Sequence, residues 1–122
     1  MNRKDIATTF LQEAAAGRLQ QVFANHVHPD FRHHNPWFPS DGASLRIAME
    51  ENARRNPGKQ LVVHHALEDG DLVAVHSHVR HNAEERGYVL VHIFRFEGAK
   101  IAELWDIAME IPADSPNQAG LF

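Results

Sequence analysis

The stretch Glu68-Asp69-Gly70-Asp71-Leu72-Val73-Ala74-Val75-His76-Ser77-His78 decides the fold class. Asp69-Gly70 is the residue pair that a tight hairpin turn requires, because its backbone tolerates positive φ, and the flanks are rich in residues that suit a pleated strand. Leu61–Glu68 and Asp71–His81 are therefore read as two antiparallel strands. A second hairpin follows, Arg86–Phe96 and Lys100–Glu110, folded at Gly98-Ala99. Asn82–Gly87 joins the two hairpins as a polar turn.

Upstream of the meander the period is helical. Ile6, Phe10, Leu11 and Ala14 share one helix face, and Gly17 is a stop just past its end. Leu19, Val22 and Phe23 mark a short second helix before the break at Pro29, and Phe31–His34 is a short extended piece ended by Asn35-Pro36. A third helix starts at Ser40 or Asp41 and carries the stripe Leu45, Ala48, Met49, Asn52 and Ala53, with Glu50–Arg54 and Glu51–Arg55 pairs outside. Asn56-Pro57-Gly58 ends it. Helices first and a meander second predict one α+β domain over residues 1–122, irregular from about residue 111. Three helices pack on a curled, mainly antiparallel sheet, and a strongly twisted sheet wrapped in this way leaves a cone-shaped cavity. Apolar residues occur on both strand parities (Val73, Val75 and Val79 against Leu72 and Ala74), so both sheet faces are expected to be covered, the second by another copy of the chain in a homodimer.

A chain of 122 residues can bury roughly two-thirds of its unfolded surface. No apolar run approaches the roughly 20 residues that span a bilayer, and the N-terminus leads into an amphipathic pattern without the apolar core of a secretory signal. With no cysteine there is no disulfide, thiolate metal site or cysteine nucleophile, which fits a reducing, cytoplasmic location. A formal charge of -4 without a basic cluster excludes nucleic acid as the expected partner. Ten histidines spread over the chain are the compositional anomaly.

The chemistry centres on Asp106, flanked by Trp105 and Ile107 and by Leu104 and Ala108 two residues away. A carboxylate there loses hydration, which disfavours its charge unless a partner compensates, so Asp106 is expected to transfer protons near neutral pH. His92, between Val91 and Ile93, needs a partner if buried: it is either a satisfied core histidine or a pocket group beside an acid. His76 and His78 share one face of a strand, the spacing that begins a cupin-type metal site. The glutamate expected downstream falls at Asn82 or Ala83, however, and the second-half histidine is missing. His64 and His65, being adjacent, are expected to face opposite sides of the sheet. His33-His34-Asn35-Pro36-Trp37-Phe38-Pro39 joins hydrogen-bonding groups to large rings, as at the mouth of a pocket for an apolar ligand. No phosphate-binding loop, dinucleotide fingerprint, nucleophile elbow or HExxH helix occurs.

The order His34-Asn35-Pro36, Glu68-Asp69-Gly70-Asp71-Leu72-Val73-Ala74-Val75-His76, Phe94-Arg95-Phe96-Glu97-Gly98-Ala99-Lys100-Ile101 and Glu103-Leu104-Trp105-Asp106 resembles the SnoaL-like polyketide cyclases of the NTF2-like superfamily, over roughly residues 5 to 110. That resemblance implies a cone-shaped α+β barrel with a small-molecule pocket, and the reaction expected in it uses no metal or organic cofactor. It also implies an acid/base aspartate at Asp106, and Asn35 beside His34 as a carbonyl donor. In the cyclase-type pattern a histidine stands two residues before the aspartate; here that place belongs to Leu104, and His76, His78 and His92 on other strands are the candidates to compensate if they face the same way as Asp106. The expected site is thus Asp106, His92 and His76 for proton transfer, with His34, Asn35, Trp37, His78 and Leu104 around the substrate. The expected partner is a small hydrophobic carbonyl compound, with neither nucleic acid nor membrane. The expected reaction is an isomerisation, dehydration or aldol closure that begins with loss of a proton alpha to the carbonyl. A binding protein without chemistry is the alternative, and a histidine metal site ranks third.

Overall fold

The computed structural model describes residues 1–122. Three helices, α1 (Arg3–Ala15), α2 (Leu19–His26) and α3 (Gly42–Arg55), accompany five strands: β1 (Val27–His33), β2 (Gln60–Asp69), β3 (Leu72–Arg80), β4 (Tyr88–Glu97) and β5 (Lys100–Glu110). The strands form one mixed sheet of order β1-β5-β4-β3-β2 that does not close on itself. Three of its four pairings are antiparallel; β1 runs parallel to β5. This is the α+β architecture read from the sequence. No helix is long and apolar enough to cross a membrane.

Local chemistry explains the boundaries. Asn2 and Asp5 form a reciprocal capping box at the start of α1, and Asp41 caps α3 by accepting from the Ser44 amide at 2.8 Å. Gly70 and Gly98 turn the two hairpins at φ +61° and +60°. The Arg3 guanidinium donates to the carbonyls of both, at 2.9 and 3.1 Å, and so ties α1 to both hairpin tips.

The helices cover one face of the sheet. Phe10 of α1 lies edge-on to Phe94 of β4, with ring centroids 5.8 Å apart, amid Val73, Val75, Phe96, Ile101 and Leu104, all buried. Each such aromatic or branched side chain contributes roughly 1.5–3 kcal/mol on burial. Beyond this core, toward the far ends of β4 and β5, the helices and sheet separate and leave a cavity.

The outer face collects the other histidines. The ladder sets His76 opposite Val91, and Val91 opposite Ile107; it sets Val75 opposite His92, and His92 opposite Asp106. Because side chains alternate along a strand, His76 and His78 point away from Asp106. A bulge in β2 between Val63 and His65 breaks the alternation. Both His64 and His65 consequently flank His76, where one of them was expected on each face. His65 Nδ1 lies 3.0 Å from His76 Nδ1, and the Phe122 ring stacks over His64 and His76 and tilts against His78.

Candidate functional site

The cavity measures about 730 Å³ and is walled mainly by apolar side chains of α1, α3 and the sheet, including Leu11, Leu45, Met49, Leu61, Val79 and Leu90. Of the polar groups that reach it, the most informative are Asp106, His92 and Asn35. Asp106 and His92 are cross-strand partners, which brings His92 Nε2 to 3.3 Å from Asp106 Oδ1. This is longer than a well-formed charge-assisted hydrogen bond of about 2.7–2.9 Å. Asn35 Nδ2 donates to the other carboxylate oxygen at 2.9 Å. Its second N–H has no protein partner.

Asn35 is itself locked. Its side-chain carbonyl accepts from the Trp37 amide at 3.0 Å, which fixes the amide orientation. Its backbone N–H donates to His33 Nδ1 at 3.1 Å, and His33 Nε2 lies 2.6 Å from the Pro39 carbonyl. A carbonyl can only accept and an N–H can only donate, so His33 carries its ring proton on Nε2. Asn35-Pro36 is thus held against the sheet by a buried imidazole.

Two opposing effects act on the Asp106 carboxyl. Burial, the largest, pushes its pKa up; contact with His92 and the hydrogen bond from Asn35 pull it down, and together they win. Asp106 is therefore held below the ordinary aspartate value and is an ionised carboxylate at neutral pH. This corrects the expectation of proton transfer tuned near neutrality: apolar neighbours in sequence do not fix the balance when partners arrive from β4 and the β1–α3 loop. His92 Nδ1 is buried and has no hydrogen-bond partner, as is Ser77 Oγ on the same face of β3.

The other expected site residues divide. His34 borders the cavity, but its ring is engaged with outer-face residues of β5, stacked on Trp105 at 4.9 Å and 2.6 Å from Glu103 Oε2, and not with Asp106. Trp37 stands at the cavity rim, 82 % exposed. Three expectations fail on geometry. His76 and His78 lie on the outer sheet face for the reason of parity given above. Leu104 faces the same way as Asp106, but it is 1 % exposed, sealed in the core beneath α1, and does not line the cavity. No group of three or more His, Asp or Glu side chains is arranged to hold a metal ion.

Sequence reasoning missed Lys59, Asn52, His81 and Tyr88 as cavity groups. Asn52 fell on the inner stripe of α3, which was a usable signal. Lys59 follows the Asn56-Pro57-Gly58 turn and only the folded turn aims it inward.

A family model for the SnoaL-like domain matches residues 7–104. No curated protein matches the sequence significantly. Among solved structures, an NTF2-like protein of unknown function from Cytophaga hutchinsonii is 14% identical with a TM-score of 0.72, over 89% of this chain and 91% of that one. A candidate polyketide cyclase from Acidithiobacillus ferrooxidans is 16% identical with a TM-score of 0.69, over 88% of each chain. AclR, a candidate hydroxylase from Streptomyces galilaeus, is 25% identical with a TM-score of 0.69, over 90% of this chain and 80% of that one. On the extent of the family match and the shared architecture, the chain belongs to the SnoaL-like domain family, with an NTF2-like fold.

Proposed function

We propose that the cavity binds a small apolar carbonyl compound and that the Asp106 carboxylate removes a proton from the carbon alpha to its carbonyl. One observation carries this reading: an ionised, largely buried carboxylate faces an apolar cavity without a lysine or arginine ion pair to occupy it. A carboxylate so placed has little competing hydration, and a C–H substrate can approach it directly. As the proton moves to Asp106, charge passes to the carbonyl oxygen. The unpartnered N–H of Asn35 is a polarised donor beside the carboxylate for that oxygen, and it is already oriented by Trp37 and His33. His92 positions the base and returns hydrogen-bonding support as Asp106 gains its proton. Return of that proton to another atom gives an isomerisation; loss of a leaving group or attack on a second carbonyl gives dehydration or aldol closure. The cavity size suits a ligand of one to three fused rings, and the candidate cyclase among the structural neighbours is consistent with such substrates.

A second reading has its own support. The downward pKa shift of Asp106 makes it a weak base, which suits a carboxylate that only anchors a ligand hydroxyl. A panel of apolar ketones and 1,3-dicarbonyls incubated with the protein in deuterated water separates the two readings. Enzymatic exchange of alpha protons, followed by NMR, is the expected result; ligand-induced shifts without exchange for any member would leave the binding reading.

A further inference from the structure

Lys59 is the one cation on the cavity wall, and it has no anion. Its ammonium donates to Asn52 Oδ1 at 2.8 Å, and no carboxylate lies within ion-pair distance. Lys59 also borders a polar surface depression between the α1–α2 turn and the end of α3. The carboxylate on that side, Glu50, is already taken by Arg46 at 2.7 Å. Asp106 is felt only at a distance, and burial lowers the Lys59 pKa more than that carboxylate raises it. The turn fixes the residue: the Lys59 amide donates to the Asn56 carbonyl at 3.1 Å and the Asn56 side chain to the Asn52 carbonyl at 2.9 Å. A lysine on a mobile stem would turn to water; this one is held against Asn52.

We propose that Lys59 and Asn52 form an anion-recognition subsite, so that the ligand is an apolar carbonyl compound bearing a carboxylate or similar anionic oxygen group, which docks on Lys59. This deepens the reading of the Asp106 cavity and rests on it. The charge layout then orients the ligand. Asp106 repels the anionic end and Lys59 attracts it, which leaves the neutral, C–H-bearing end at Asp106. An ammonium with one neutral acceptor keeps two N–H donors for the ligand, which suits a two-oxygen head group.

The test uses two dyes that share one aromatic skeleton and differ in charge: 8-anilinonaphthalene-1-sulfonate and uncharged N-phenyl-1-naphthylamine. Fluorescence titration of the full chain measures both affinities in wild type, Lys59→Gln and Lys59→Arg. The subsite predicts that wild type prefers the anion by about tenfold or more, the value of a charge-assisted hydrogen bond. Lys59→Gln should bring the ratio of the two affinities near one, and Lys59→Arg should retain most of it. Equal affinities in wild type, or an undiminished ratio in Lys59→Gln, would overturn the subsite while the cavity reading stands. If neither dye binds wild type, the cavity reading falls and the subsite with it.

Discussion

His92 and Asp106 face each other across the β4–β5 ladder, and their side chains meet at 3.3 Å in the wall of an apolar cavity. The register that opposes them also opposes Phe94 to Leu104 in the core, so the pair's geometry is fixed by the same packing that holds the sheet to α1.

His92 leads the contacts that overcome burial at Asp106, with Asn35 beside it, so its removal should shift the balance toward burial. The carboxyl pKa of Asp106 should rise in His92→Leu relative to wild type, read by carbon-13 NMR titration of labelled aspartate side chains. For any reaction that needs the ionised form, the acid limb of the pH–rate profile should move to higher pH in the same variant. An unmoved carboxyl would remove His92 from the account of this charge.

Glu103 sits on the opposite face and has a different task. It is 6 % exposed and is bound by His34, Arg95 and Arg32. The His34 contact leads the effects that take its pKa down to about 2, from an ordinary 4.5. A depressed carboxyl contributes stability that is complete above the unfolded value and lost as pH falls through the folded one. Unfolding by urea should therefore show stability declining from about pH 4.5 toward pH 2. Glu103→Gln should remove most of that dependence and cost about 1–3 kcal/mol at neutral pH.

Gly87, just before β4, has φ +84°, and a Cβ there would lie 2.1 Å from the Val79 carbonyl oxygen. Gly87→Ala should destabilise by at least about 2 kcal/mol, since the left-handed backbone alone costs a side chain roughly 1–2 kcal/mol. Gly70 and Gly98 have positive φ but open surroundings. Their alanine variants should lose less in the same denaturation experiment.

The outer sheet face carries Leu67, Leu72, Ile107 and Met109, at 68 %, 40 %, 58 % and 52 % exposure. A second copy packed on this face is the expected cover. Light scattering of the purified chain should give the mass of a dimer, and Ile107→Glu should give that of a monomer. A wild-type monomer at all concentrations would leave this face without the proposed partner.

The two hairpins, the helix stripes and the position of Asp106 were legible in the sequence because each depends on local period or on a turn residue. Asp69-Gly70 and Gly98 are turns wherever the strands go. What needed the fold was facing. His76 and His78 were candidates to stand in for the histidine missing at Leu104, on condition that they faced Asp106, and the register of β3 on β4 assigns them to the other side. The β2 bulge was equally hidden, and it moved a histidine across the sheet. Asp106 was recognisable as a buried acid, but its charge state depends on Asn35, 71 residues away in the chain. Lys59 escaped notice because a lysine after a turn ordinarily points to water.

In the proposed reaction the Asp106 carboxylate takes up the alpha proton. Alpha-proton exchange on the best substrate of the ketone panel, measured by NMR in deuterated water for wild type and Asp106→Asn alongside ligand affinity, tests it most directly. Asp106→Asn should bind that compound within a few-fold of wild type and exchange its protons about 10²–10⁴-fold more slowly. Exchange at the wild-type rate in the folded variant would contradict the assignment.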